Sequence, residues 1–272
     1  MLEIGVFTNS YGPHGVRAAI EGAAKAGIKH VEIAMKAHDQ GGLIVSEGAV
    51  ITEKTPMEEI DKLRDWMQEL GVSPTSCNGG GDLTTDEGVA VVKARLDRAK
   101  RLGSKYFVMS VGNELDDTVV NNIRAIGDYA AELGIKVALE THPPLVTNAD
   151  VGIATMQRID HPNVGINFDT ANMYFYNEGI DAAAELEKMV EYVVHVHLKD
   201  SNMGFKEWFF PAIGDGKIPF PRMIETLNKA GYDAPLSLEI EGIGGEGQLS
   251  FEQYHERIIK SAEYLRANGL AK

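Results

Sequence analysis

The sequence predicts an α/β fold, a single (β/α)8 barrel in which residues 1–272 form one domain, on three observations. A helical stretch ending in Ala or Leu, then Gly, then an apolar run recurs at Ala26-Gly27, Leu70-Gly71, Leu102-Gly103, Leu133-Gly134 and Ala230-Gly231. The runs are short and rich in Val, Ile and Leu, as strands buried on both faces should be. They alternate with helix-period intervals of 11 to 20 residues, and strict alternation implies a parallel sheet. Eight such units in 272 residues favour a closed barrel over an open sheet.

The strands are placed in order as follows. The first, 3–8, precedes any junction and leads into Thr8-Asn9-Ser10-Tyr11-Gly12, which is not the glycine-rich phosphate loop an open nucleotide-binding sheet requires. The second, 30–35, follows Gly27, and the third, 73–78, follows Gly71 and the helix pattern 53–70. The fourth, 106–111, follows Gly103 and the helix pattern 87–102; the fifth, 136–141, follows Gly134. The sixth and seventh are 164–169 and 193–199. The eighth, 236–241, follows Gly231, and a last helix is expected over 251–268. Glycine just past a helix supplies the left-handed cap conformation without a Cβ penalty. The longest irregular stretches, 36–48 and 201–218, fall at the same end of such a barrel, where active-site loops belong.

Composition narrows the function classes. Hydrophobic residues at 44% and charged residues at 24% are ordinary for a soluble enzyme. The formal charge of −14, from 26 basic and 40 acidic residues, repels phosphate backbones, so nucleic acid is not an expected partner. The single cysteine, Cys77, excludes an internal disulfide and a four-cysteine zinc site. Met1 to Ser10 are neither basic nor long enough in apolar run to read as a signal peptide, and no apolar run approaches the roughly 20 residues that span a bilayer. The expectation is a cytoplasmic enzyme without a membrane partner.

The second half of the chain carries polar residues in strands. Side chains at i and i+2 share a face. Glu140 and His142 therefore point one way, as do Asn167 and Asp169, then His195, His197 and Lys199, then Ser237, Glu239 and Glu241. The intervening Leu139, Phe168, Val196, Leu198, Leu238 and Ile240 suit the outer face beneath helices. Four neighbouring strands thus aim Glu, Asp, His and Glu into the barrel near their C-terminal ends. Carboxylates gathered in one small volume need a cation to stay ionised together. One His with three carboxylates is an oxygen-rich set that suits Mn2+, Mg2+ or Co2+ better than a closed structural zinc.

At these residues the sequence resembles the xylose isomerase-like TIM-barrel family of sugar isomerases and epimerases, whose members include ketose 3-epimerases, hydroxypyruvate isomerase, inosose dehydratase and endonuclease IV. The resemblance rests on Ala138-Leu139-Glu140-Thr141-His142, Asn167-Phe168-Asp169-Thr170-Ala171-Asn172, His195-Val196-His197-Leu198-Lys199-Asp200 and Leu236-Ser237-Leu238-Glu239. Val31-Glu32-Ile33 and the run from Gly214 to Phe220 add weaker matches. The resemblance implies one divalent metal, Mn2+ first and Mg2+, Co2+ or Zn2+ as alternatives, held by Glu140, Asp169, His197 and Glu239. Resemblance to the epimerase branch also implies that Glu140 and Glu239 act as acid and base on opposite faces of a carbohydrate substrate. Many ketose epimerases carry a substrate-binding His three residues past the Asp of the sixth strand, where this sequence has Asn172. The histidine-rich metal cluster of endonuclease IV is not supplied.

A metal that chelates a carbonyl oxygen and the adjacent hydroxyl acidifies the proton between them, through the charge of the enediolate. Returning that proton to the neighbouring carbon is isomerisation, and returning it from the opposite face is epimerisation. Expelling a β-substituent is lyase chemistry. The leading expectation is an isomerase or epimerase of a keto-sugar or small hydroxy-ketone. The alternative is a lyase on an oxidised sugar, a dehydratase, decarboxylase or 3-keto-glycoside cleaving enzyme. A barrel that binds sugar without chemistry is the third, and intact Glu140 and Glu239 argue against it.

Further positions join the candidate site. His142 and Lys199 are extra acid–base groups or, in the plainer alternative, partners of a backbone carbonyl or ligand carboxylate (His142) and of a carboxylate such as Asp200 or Glu241 (Lys199). Glu32 and Asn78, ending the second and third strands, are expected to touch sugar hydroxyls, with Asn172. His195 is grouped with these substrate contacts, although its depth also suits a core histidine. Trp208-Phe209-Phe210 forms either a lid over substrate or the contact of a homo-oligomer. Cys77 reads as a small buried residue.

Overall fold

The computed structural model describes residues 1–35 and 51–272, so the expected irregular stretch 36–48 lies outside the described residues. Eight parallel strands close into the barrel that the sequence predicts. They are β1 (Ile4–Phe7), β2 (His30–Ala34), β3 (Ser73–Asn78), β4 (Tyr106–Met109), β5 (Lys136–Glu140), β6 (Val164–Asp169), β7 (Val193–Leu198) and, after a short β8 (Phe209–Phe210) outside the ring, β9 (Leu236–Leu238). β9 pairs with both β7 and β1, which leaves the ring without an edge.

Between the strands run α1 (Gly15–Lys25), α2 (Met57–Glu69), α3 (Asp86–Leu102), α4 (Asp117–Leu133), α5 (Ala149–Ile159), α6 (Asn172–Tyr176), α7 (Ala182–Met189) and α8 (Phe220–Lys229), with α9 (Phe251–Ala267) last. Their boundaries are written in side chains. Thr85, Asp116, Asn148 and Asp181 accept backbone N–H groups at the starts of α3, α4, α5 and α7, and Ser250 with Gln253 closes a capping box on α9. Gly103 (φ 98°) and Gly134 (φ 69°) end α3 and α4 in the left-handed conformation that the junction pattern predicts.

The apolar core lies between ring and helices. Leu139, Phe168, Val196, Leu198, Leu238 and Ile240, expected on the outer face, are all buried there. Burying each such side chain is worth roughly 1.5–3 kcal/mol. The alternate positions of β2, β3, β6, β7 and β9 fill the ring interior with Glu32, Ser76, Asn167, His195, His197 and Ser237, every one buried. Among the described residues no helix is long and apolar enough to cross a membrane.

The mouth of the ring is roofed from two segments. β8, from the loop after β7, pairs antiparallel with β10 (Gly242–Ile243), which follows β9. Asp200 anchors the first segment. Its buried carboxylate accepts the backbone N–H groups of Ser201, Gly214, Gly216 and Ile218 at 2.8, 2.8, 2.9 and 3.2 Å. Of the stretch 201–218, expected to cover the pocket, Trp208 and Phe210 line the cavity at the mouth.

Candidate active site

Strand register brings the four expected ligands together. Asp169 lies beside His197 and His197 beside Ser237, while Glu140 pairs with Asn167 and Glu239 follows β9. One ligand atom from each of Glu140, Asp169, His197 and Glu239 lies within 4.8 Å of the others. Each side chain is tied down by one atom, which leaves another for the cluster. Asp169 Oδ1 accepts the N–H groups of Ala171 and Asn172 at 2.8 and 2.9 Å, at the start of α6, leaving Oδ2. Glu239 Oε1 accepts from Asn9 Nδ2 at 2.9 Å, leaving Oε2. Glu140 Oε2 accepts from the Ser110 hydroxyl, leaving Oε1 at 3.4 Å from His197 Nδ1.

His197 Nε2 donates to Glu32 at 3.0 and 3.1 Å, so Nδ1 is the atom turned to the carboxylates. Asp169 Oδ2, His197 Nδ1 and Glu239 Oε2 are all buried without a hydrogen bond. Buried polar atoms are rarely left so. Three orphans from three residues of one cluster, in a set of one imidazole and three carboxylates, fit a divalent cation.

Beneath the cluster lies a closed polar layer. Glu32 accepts from Ser237 Oγ at 2.7 Å as well as from His197. Burial alone would raise the Glu32 pKa, but His197, His195 and these hydrogen bonds outweigh it and take it down to about 2. Burial pushes His195 down to about 4, so its ring is neutral. Its Nδ1 then donates to Asn167 Oδ1 at 2.8 Å and its Nε2 accepts from Ser76 at 3.1 Å. Burial likewise opposes a charged His197, but Glu32 and Glu239 overcome it and hold the ring above the ordinary histidine range. Asp169 is pushed up to about 7 by burial, against the pull of Lys199.

The cavity above the cluster has a volume of about 400 Å³. Its lining includes Asn78, Glu140, His142, Asn172, Lys199, Trp208 and Glu239, seven of the positions singled out in the sequence. Glu32 and His195, expected to touch sugar, are instead buried under the cluster, 0% and 1% exposed, and do not line this cavity. His142 donates from Nδ1 to Pro143 O at 2.8 Å and packs edge-on against Tyr176, with ring centroids 4.8 Å apart. That is the backbone partner of the plainer expectation, yet the ring still faces the cavity. Lys199 pairs with Glu241 at 2.8 Å, whereas Asp200 is committed to backbone N–H groups.

Sequence reasoning missed several lining residues. Asn9, Phe175 and Tyr176 all reach the cavity, as does Glu241, which the sequence placed on the inner face, and Ser110 holds Glu140. Asn9 and Ser110 sit just past the ends of β1 and β4, which is the signal that marks them. Phe175 and Tyr176 belong to the five-residue α6, whose period is too short to read. Burial lifts the Tyr176 phenol to about 12, so it keeps its proton and can donate into the cavity.

Comparison with known proteins finds a matching family and enzymes among the relatives. The model of the xylose isomerase-like TIM barrel family matches residues 20–268. A ketose 3-epimerase of Arthrobacter globiformis is 24% identical over 259 residues, covering 86% of this chain and 80% of that protein. An inosose dehydratase of Geobacillus thermodenitrificans is 26% identical over 223 residues, covering 66% and 70%. The crystal structure of a xylose isomerase domain protein from Planctomyces limnophilus superposes with a TM-score of 0.75 at 24% identity, covering 99% of this chain and 96% of that one. These relatives are an epimerase and a dehydratase, and this chain, like them, is an enzyme.

Proposed function

Since the chain belongs to the xylose isomerase-like TIM barrel family, we propose that it is a divalent-metal-dependent isomerase or epimerase of a keto-sugar or related small hydroxy-ketone. The observation that carries this reading is the convergence of Glu140, Asp169, His197 and Glu239 at the floor of a polar cavity, with three orphaned buried ligand atoms. These four residues would hold the ion, Mn2+ in the first instance. When bound, it supplies Lewis-acid polarisation of a carbonyl and the neighbouring hydroxyl.

The chain's own groups do the rest. Glu140, oriented by Ser110, and Glu239, oriented by Asn9, are the bases that remove and return the carbon-bound proton. Epimerisation uses both, one on each face of the planar intermediate; isomerisation uses one that shuttles the proton to the next carbon. Asn78, Asn172 and the Tyr176 hydroxyl offer hydrogen bonds to sugar hydroxyls, and Trp208 with Phe175 and Phe210 gives an apolar wall. Glu32 and His195 serve the site from below. The reading sets the enzyme in the cytoplasm, where Cys77 stays reduced, and leaves its association with further copies to the exposed Trp208 segment.

The presence of His142 and Lys199 in the same cavity favours one second reading. Either can protonate a leaving group at the β-carbon, which makes the enzyme a lyase on an oxidised sugar. Incubation with a panel of ketoses and 3-keto-sugars in D2O, read by mass spectrometry, separates the readings. Deuterium uptake with no other mass change supports the isomerase or epimerase. Loss of water or of an aglycone supports the lyase, and neither uptake nor mass loss in any panel member sinks both.

A further inference from the structure

Lys199 follows β7 directly and is 2% exposed. Its ammonium lies 3.0 Å from Asp169 Oδ2, 2.9 Å from Glu239 Oε2 and 2.8 Å from Glu241 Oε2. The first two are the oxygens of the candidate ligand cluster that no hydrogen bond ties down, and the lysine meets them as ion pairs. It also donates a hydrogen bond to Asn172 Oδ1, at 3.3 Å, and lies 5.1 Å from the centroid of the Phe210 ring.

A lysine ammonium is a compact point charge on a flexible stem, able to swing between carboxylates. A divalent ion and an ammonium drawn to the same two oxygens repel one another strongly in a buried site. Glu241 and Asn172 give the ammonium a second berth that lies outside the cluster.

We propose that Lys199 is a tethered counter-ion of the ligand cluster, which competes with the divalent cation for Asp169 and Glu239 and thereby sets the affinity of the site. The inference rests on the metal reading of that cluster. In the metal-free protein the ammonium holds the two carboxylates together. Once the cation takes them, Lys199 retires to Glu241 and Asn172 and turns its charge toward the cavity that it lines. Linkage is reciprocal, so a ligand oxygen that captures the ammonium tightens cation binding by the same factor by which the cation tightens that contact.

The test is calorimetric titration of Mn2+ into chelator-stripped wild type and Lys199→Met, with thermal unfolding of both. Removal of the competitor is expected to tighten Mn2+ binding by roughly tenfold or more. It is also expected to lower the melting temperature of the metal-free protein, with recovery on adding Mn2+. Should Lys199→Met fail to fold without metal, Lys199→Gln, which keeps a donor for the carboxylates, carries the same titration. Mn2+ binding that is unchanged or weaker in the folded variants overturns the proposal. A wild type that binds none of Mn2+, Mg2+, Co2+ or Zn2+ overturns the metal reading first, and the two failures are thereby distinguished.

Discussion

His197 hands one ring nitrogen to Glu32, at 3.0 Å, and turns the other toward Glu140 and Glu239. The pair is fully buried, and Glu32 keeps its charge because His197 and Ser237 face it. A carboxylate behind an imidazole fixes which nitrogen carries the proton, orients the ring and raises its basicity as a ligand. Glu32→Gln keeps the shape and loses the charge. Mn2+ affinity is expected to fall roughly 10- to 100-fold. Calorimetry reads this directly, and an unchanged dissociation constant would remove Glu32 from the site.

Glu140 and Glu239 separate metal holding from proton transfer. Glu→Gln at either position removes a charge and a base. If both residues only hold the ion, excess Mn2+ restores the rate. The expected result is a deficit of about 10²–10⁴ that persists at saturating Mn2+, the usual worth of a positioned acid or base. Full rescue of either variant refutes the two-base mechanism and leaves the metal site standing.

Asp200 is the clasp of the roof. Its carboxylate accepts four backbone N–H groups, three of them 14 to 18 residues further along the chain. Bonds of this kind to a charged acceptor are worth about 1.5–3 kcal/mol each, though not additively. Asp200→Ala is expected to cost about 3–5 kcal/mol overall and to expose 201–218 to limited proteolysis. A variant with wild-type melting temperature and cleavage pattern would show that the segment is held by other contacts.

Cys77 offers a pH-dependent readout away from the cluster. It is 0% exposed and contacts Ser104 Oγ at 3.1 Å, and burial lifts its thiol to about 12. A raised acid pKa leaves stability untouched below the unfolded thiol value of about 8.5. Above it the unfolded chain ionises and the folded one does not, so stability falls as pH rises from about 8.5 toward 12. The native protein should not react with a thiol reagent at pH 8 and should react at once in denaturant. Cys77→Ser should flatten the alkaline slope.

The cluster was legible because its residues obey a period of two within strands of unambiguous composition. Asp169 and His197 could be placed on the inner face from their neighbours Phe168, Val196 and Leu198 alone. The depth of a residue inside the ring was not legible. Glu32 sits opposite Phe7 and Ser76 and under His197 because of the stagger between strands, a property of the closed ring that no single strand encodes. For the same reason His195 could be assigned to a face but not to a layer. The pairing of β8 with β10 was also invisible. Each is two residues long, and nothing in Phe209-Phe210 marks Gly242-Ile243 as its partner.

That pairing has an engineering corollary. The roof is spliced from two stretches, joined across Phe210 and Gly242 and by the bond from Gly244 N to Trp208 O at 2.7 Å. None of Glu140, Asp169, His197 and Glu239 belongs to either stretch. The two therefore form one unit, separate in sequence from the four-residue cluster that they cover. They must travel jointly, because a graft of one alone strands the backbone groups of the other.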